Sequence, residues 1–296
     1  MKEDLQLYLR IKFGNIKRLI LNSSDQKKYV DLCGSVCNPI DVFKRADEHP
    51  VLIQVPMNRI RGMAMMGFPC NSESNHPYIM TVKNGYKTYD GSPLQSYHKL
   101  IQPKNAAELF GIDGNEKLRK IPTLWGETPW RGECGKHVKE RRIKGIQREG
   151  IYNGVFKIDS NDGWHIVGPV SNKIGRLDIR RLFQLTDSIS KKGYIPNSRV
   201  GHITGSVFIG QNEDWSFYCG QGQHRLAVCA ALGYTSVPVL IKSDKIVRRS
   251  DVNTWPGVKK GYFSKEEALQ VFDRIHSGRQ PEWVKARWPR INNNLL

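Results

Sequence analysis

The sequence predicts an α+β protein, and three observations carry that prediction. Trp215, Phe217 and Cys219 alternate with Ser216 and Tyr218, the period of a half-buried strand. Leu226, Cys229, Ala230 and Gly233 follow at helical spacing, with Gly233 placed to end the helix in the left-handed conformation. Val237 to Ile241 then reads as a second, buried strand. A short glycine-rich turn, Gly220 to Arg225, therefore joins a strand to a helix.

The other elements follow in chain order. Leu5, Leu7, Leu9 and Ile11 alternate before Ile16, Leu19 and Ile20, which predicts a short strand and then a helix. Asp41 is placed to start a further helix at Val42, and Val51 to Pro56 reads as a strand. Residues 56–77 are rich in Met, Gly, Asn and Pro and read as loop, with Met57, Met63, Met65 and Met66 packing in the core. His76 to Val82 reads as a strand that turns at Asn84-Gly85, with Tyr86 to Tyr89 returning beside it. Ser92-Pro93 opens a helix, and Pro103 to Phe110 is a short helix ended by Gly111.

Residues 112–150 read as a connecting region. Its Trp125 and Trp130 either meet a ligand or seal the seam between two halves. Lys136 to Arg142 is a solvated helix face or a landing site for anions. Val155 to Ile158 reads as a strand, Asn161-Asp162-Gly163 as a turn, and Trp164 to Val167 as the returning strand. Leu177 to Lys192 gives the clearest helix, with Leu182, Leu185, Thr186 and Ile189 inward, Asp178 as N-cap and Gly193 at its end. Ser206 to Gly210 and Trp215 to Cys219 form a hairpin. Ser264 and Glu267 make a capping box for a helix through His276. The tail beyond Arg279, with Trp283, Trp288 and Arg290, docks on the fold or meets a polyanion.

Composition narrows the function classes. The net charge of +18 favours polyanionic partners: nucleic acid, an anionic surface or phosphorylated substrates. No apolar run approaches the roughly 18 residues of a membrane span. Charges run through the first residues, so no apolar signal-peptide core is expected there. Six irregularly spaced cysteines do not make a disulfide framework, and a reducing, cytoplasmic location is expected. Cys33-x-x-x-Cys37 has no second pair beside it, so no zinc site is expected.

The glycine turn carries the chemistry. A helix start offers backbone N–H groups without partners and the positive end of the helix dipole, and anions bind there. His224 and Arg225 add side-chain donors at that spot, and Arg225 suits a bidentate phosphate contact. Gln221, Gly222, Gln223, His224 and Arg225 are thus the candidate phosphate-binding residues. His224 also suits proton transfer.

Gly222-Gln223-His224-Arg225, the helix ending Leu232-Gly233, and Val237-Pro238-Val239 resemble the signature of the ParB/sulfiredoxin superfamily. Leu185 to Gly193 resembles a second helix motif of that superfamily, and the resemblance covers roughly residues 155–245. It implies a small mixed β-sheet with packed helices, and a nucleotide such as ATP or CTP with Mg2+. Residues 1–150 are then an N-terminal α+β region, 151–245 a ParB-like nucleotide-binding domain, and 246–296 a helical, basic, Trp-containing tail. Superfamily kinases for small molecules place a catalytic acid near the start of the domain, which implies Asp178 here, where the family pattern has Glu. Arg180 and Arg181 beside it are candidate grips for an anionic substrate. Gln223 stands where sulfiredoxins carry their catalytic Cys, so sulfiredoxin chemistry is disfavoured. The chain after Ile241 lacks a convincing helix-turn-helix, which chromosome-partitioning relatives have. The N-terminal half resembles proteins found beside bacterial surface-polysaccharide genes.

The expected function is a nucleotide-dependent phosphotransferase acting on a small molecule or glycan. A ParB-like nuclease or DNA-binding protein is the alternative, and a nucleotide-binding regulatory protein without turnover is a second.

Overall fold

Val51, Ile53 and Val55 are fully buried, and so are Val237, Val239 and Ile241. Their registers coincide: Val51 lies opposite Ile241, Ile53 opposite Val239 and Val55 opposite Val237. Such cross-strand pairs of β-branched residues are the unit that stabilises a sheet. In this computed structural model, which describes residues 29–34, 38–45, 49–196 and 201–288, they lie in a seven-stranded mixed sheet. The expected strand and helix between Leu5 and Ile20, Cys37 and Arg290 lie outside the described residues.

The strands are β1 (Val30–Asp31), β2 (Val51–Pro56), β3 (Ile60–Gly62), β4 (Phe68–Pro69), β7 (Ile203–Ile209), β8 (Trp215–Gln221) and β9 (Ser236–Arg248), in the order β1-β2-β9-β7-β8-β3-β4. A separate hairpin pairs β5 (Gly163–Trp164) with β6 (Val167–Val170). The large sheet thus interleaves strands from before residue 150 with strands from after it. β8 lies inside the sheet between β7 and β3, so Ser216 to Cys219 are all buried and not half-buried as their alternation implied.

Eleven α-helices are described: α1 (Pro39–Arg45), α2 (Pro77–Lys83), α3 (Pro93–Leu100), α4 (Ala106–Phe110), α5 (Glu116–Arg119), α6 (Lys136–Tyr152), α7 (Asn172–Lys192), α8 (Gln223–Ala231), α9 (Pro256–Lys259), α10 (Lys265–His276) and α11 (Glu282–Arg287). Residue 150 falls inside α6, and residue 245 inside β9. Among the described residues, no helix is long and apolar enough to cross a membrane.

Three expectations are corrected. The stretch His76 to Val82 is not a strand: His76 caps helix α2, which runs from Pro77 to Lys83. Its aromatic and β-branched residues favour a strand locally, but His76 Nδ1 accepts the Tyr78 N–H at 3.2 Å and Pro77 takes the first helical position. The long helix starts five residues before Leu177, at Asn172, capped by Ser171, whose hydroxyl accepts from the Ile174 N–H. Asp178 is therefore an interior helix residue and not an N-cap. Val155 to Ile158 is not a strand; Gly163–Trp164 pairs instead with Val167–Val170.

Other expectations match. Met57, Met63, Met65 and Met66 are buried in the core, though β3 and β4 also lie in that stretch. Trp130 packs edge-on against Phe208, Trp255 and Phe272 and so joins the connecting region to the sheet and α10. The capping box at Ser264 and Glu267 is formed. The tail docks: Trp283 donates to the Glu108 carbonyl and Trp288 to the Asn75 carbonyl, both at 2.7 Å.

Candidate functional site

The chain leaves β8 through Gly222, whose φ of 89° reverses it into α8. A Cβ there would meet Ile203 Cγ1 at 3.1 Å and Ile203 Cα at 3.2 Å, so glycine meets both demands of the turn. The α8 N-terminus has no side-chain cap among the described residues.

His224, in the first turn of α8, is driven inward because α8 packs against both α2 and α7. Asp178 sits on the buried stripe of α7 that includes Ile174, Leu182 and Ile189. The two meet, with His224 Nε2 lying 2.8 Å from Asp178 Oδ1. Tyr78, from the first turn of α2, fixes both partners. Its hydroxyl donates to Asp178 Oδ2 at 3.2 Å, and its ring stacks on the His224 ring at 4.7 Å. His165, between β5 and β6, brings Nδ1 to 3.8 Å from Asp178 Oδ1. On its other face, His224 Nδ1 lies 4.0 Å from the buried Glu149 Oε1 in the last turn of α6, and Glu149 is ion-paired to Arg181.

Burial sets the electrostatics. Asp178 is 1% exposed and His224 4%. Burial raises the Asp178 carboxyl well above its ordinary range, against the Tyr78 hydrogen bond that opposes the shift. Burial also pushes the His224 imidazole well below its usual value, and Arg181, His165, Arg225 and His76 push in the same direction. Burial likewise lowers His165 to about 4 and Arg181 to about 10.

The sequence-predicted residues divide. Asp178, His224 and Arg181 are brought together. Arg180 is exposed and donates to the Asn153 carbonyl at 3.4 Å, and Gln221 is exposed at the end of β8. The Gln223 side chain clamps the fold: Oε1 accepts from the Met63 N–H at 2.8 Å and Nε2 donates to the Cys219 carbonyl at 2.6 Å. Arg225 is half-buried, and its guanidinium donates to the carbonyls of Gly201 and His202. Phosphate contacts at this turn would accordingly come chiefly from backbone amides.

Three members of the cluster are missed by sequence reasoning. Glu149 lies in the stretch read as a connecting region. Tyr78 and His165 lie in stretches read as strands. Only Asp178 carries a further signal, because an acid at that spacing interrupts an otherwise apolar stripe.

One donor atom from each of Glu149, Asp178 and His224 lies within 4.8 Å of the other two. These are the described residues that could hold a metal ion. No family model, curated protein or solved structure matches the chain. The chemistry of the cluster therefore rests on its own geometry. Tyr78, Asp178 and His224 form a hydrogen-bonded row that ends at His224 Nδ1, facing Glu149. With Asp178 ionised, Nε2 donates to it, and Nδ1 is left as a base facing Glu149.

Proposed function

We propose that this chain binds a nucleoside triphosphate at the start of α8 and transfers a phosphoryl group to the hydroxyl of a small molecule or glycan. The carrying observation is the 2.8 Å pairing of Asp178 with His224 in the first turn of that helix. The amides of Gln223 and His224 begin a helix without a side-chain cap among the described residues, and such amides suit phosphate oxygens. A nucleotide held there supplies the phosphoryl group.

The protein's part is proton handling. His224 Nδ1 takes the proton of the acceptor hydroxyl, while Nε2 passes its own proton to Asp178 Oδ1. The pair thus passes from a carboxylate and a neutral imidazole to a carboxylic acid and a neutral imidazole. Tyr78 holds Asp178 and the imidazole ring in place throughout. Mg2+ takes oxygen donors and keeps several waters, and a protein set that includes an imidazole does not fit it well. No step here is routed through protein-bound Mg2+.

The test is turnover of ATP or CTP, with Mg2+, by the purified chain and by Asp178→Asn. Loss of turnover with nucleotide binding retained is the expected result. Equal turnover in both proteins would remove Asp178 from the mechanism.

A second reading, binding or cleavage of nucleic acid, is favoured by the net charge of +18 and by one face of α6. There His137, Arg141, Lys144 and Arg148 line a cleft of about 350 Å3. DNA retention that falls steeply with salt and ignores nucleotide would support it over the first.

A further inference from the structure

Glu149, Asp178 and His224 come from three different helices, α6, α7 and α8, yet present donor atoms within 4.8 Å of one another. We infer that these three side chains form a binding site for one borderline divalent ion of the Zn2+ or Mn2+ class, held by the protein itself. The site does not depend on the phosphotransferase reading, and an ion bound here takes the position through which His224 and Asp178 exchange a proton in that reading.

Distances favour it. A carboxylate oxygen or imidazole nitrogen binds such an ion at about 2.0–2.2 Å, which puts tetrahedral donors roughly 3.4 Å apart. His224 Nε2 and Asp178 Oδ1 are at 2.8 Å; Glu149 Oε1 faces the other ring nitrogen, Nδ1, at 4.0 Å. The ion would therefore sit between the three side chains only after the Glu149 carboxylate and the imidazole turn toward one another, within the 4.8 Å that already encloses one donor atom from each. The ion would take the place of the proton between His224 Nε2 and Asp178 Oδ1.

The donors are also held as ligands usually are. Ligating carboxylates and imidazoles are oriented by a second layer of contacts. Here the Tyr78 hydroxyl occupies Asp178 Oδ2, which leaves Oδ1 to point at His224, and the Tyr78 ring fixes the imidazole plane. His165 Nδ1, 3.8 Å from Asp178 Oδ1, supplies a further nitrogen at the edge. Three protein ligands leave a position open, the arrangement of a catalytic rather than a structural ion. An imidazole with carboxylates selects Zn2+ or Mn2+ over Mg2+.

Arg181 is the built-in competitor. Its guanidinium is ion-paired to Glu149, so Glu149 must leave it to bind an ion. Opposite effects are therefore expected from two substitutions. Glu149→Gln removes a ligand and should weaken Zn2+ and Mn2+ binding at least tenfold. Arg181→Gln frees Glu149 and should tighten it.

Titration of the full chain with Zn2+, Mn2+ or Mg2+ alone, without nucleotide, tests this by calorimetry and by the shift in melting temperature. The melting curve of each metal-free variant checks that it folds. Co2+ in place of Zn2+ adds a visible absorption that reports nitrogen and oxygen ligation. One ion per chain, weakened in Glu149→Gln, tightened in Arg181→Gln and preferred over Mg2+, is the expected result. No ion bound, unchanged affinity in Glu149→Gln, or Mg2+ bound as tightly as Mn2+ would each overturn the inference. Nucleotide binding measured separately in chelator shows whether the phosphate site survives that outcome.

Discussion

His224 Nε2 lies 2.8 Å from Asp178 Oδ1, although 46 positions separate them in sequence. The pair is buried, and Tyr78 donates to the second carboxylate oxygen. Asp178→Ala strands both the Tyr78 hydroxyl and the His224 nitrogen inside the fold. A buried polar group left without its partner costs about 1–3 kcal/mol, so a loss of about 3 kcal/mol is expected. Asp178→Asn keeps an acceptor for Tyr78 and offers a donor to His224, and should lose less than about 1.5 kcal/mol. Denaturant unfolding of the two variants checks the order.

Gln223 joins α8 to the 3-10 turn after β3 and to β8 by clamping the Met63 N–H and the Cys219 carbonyl. Gln223→Ala leaves both backbone groups unpaired in a crowded place and should cost about 2–4 kcal/mol. Gln223→Glu keeps the acceptor for Met63 but sets an oxygen against the Cys219 carbonyl, and should be destabilised as well. If thermal unfolding finds the alanine variant within about 0.5 kcal/mol of the parent, the clamp does not contribute.

Much of this region is legible in the sequence because local and tertiary demands agree there. Gly222 needs its positive φ, β8 carries the aromatic residues Trp215, Phe217 and Tyr218, and α8 carries its own apolar spacing. Ser264 and Glu267 likewise announce a helix by local chemistry alone. Elsewhere the two demands conflict. Tyr78, Ile79, Thr81 and Val82 favour a strand, and the cap at His76 with packing against α7 and α8 decides otherwise. Glu149 has no local mark of function, because its role exists only where α6 passes α8. Asp178 fits a cap motif by type but stands on the inward stripe of a longer helix.

Gly222 combines a left-handed backbone with close contact to Ile203, whose Cα lies 3.2 Å from where a Cβ would stand. Gly222→Ala adds about 1–2 kcal/mol of backbone strain to that contact. A total loss of about 2–3 kcal/mol is expected by chemical denaturation. Gly233, also at positive φ but in open space, should show the strain alone when changed to Ala.

Acid should unfold this protein through its buried histidines. Burial lowers His76 to about 3 and His98 to about 4. His98 is held neutral by geometry as well: Nε2 donates to the His165 carbonyl at 3.0 Å, so Nδ1 accepts from the Tyr89 hydroxyl at 3.0 Å. The unfolded chain binds protons near the ordinary value of about 6.5, where the folded chain does not. Between those limits the unfolded state holds more protons, so stability rises with pH. The contribution is full above about pH 6.5 and is lost as the pH falls toward 4 and then 3. Each histidine should add about 1.4 kcal/mol per pH unit to the slope. His98→Gln should remove one such increment, as read by urea unfolding at a series of pH values.

Amide shifts at the start of α8 during nucleotide titration test the central claim most directly. A two-dimensional 15N–1H spectrum of the full chain resolves each backbone N–H. Addition of ATP or CTP should move Gln223, His224 and Arg225 most, with saturation at a single affinity. Unmoved amides there, or shifts confined to the His137–Arg148 face of α6, would contradict it.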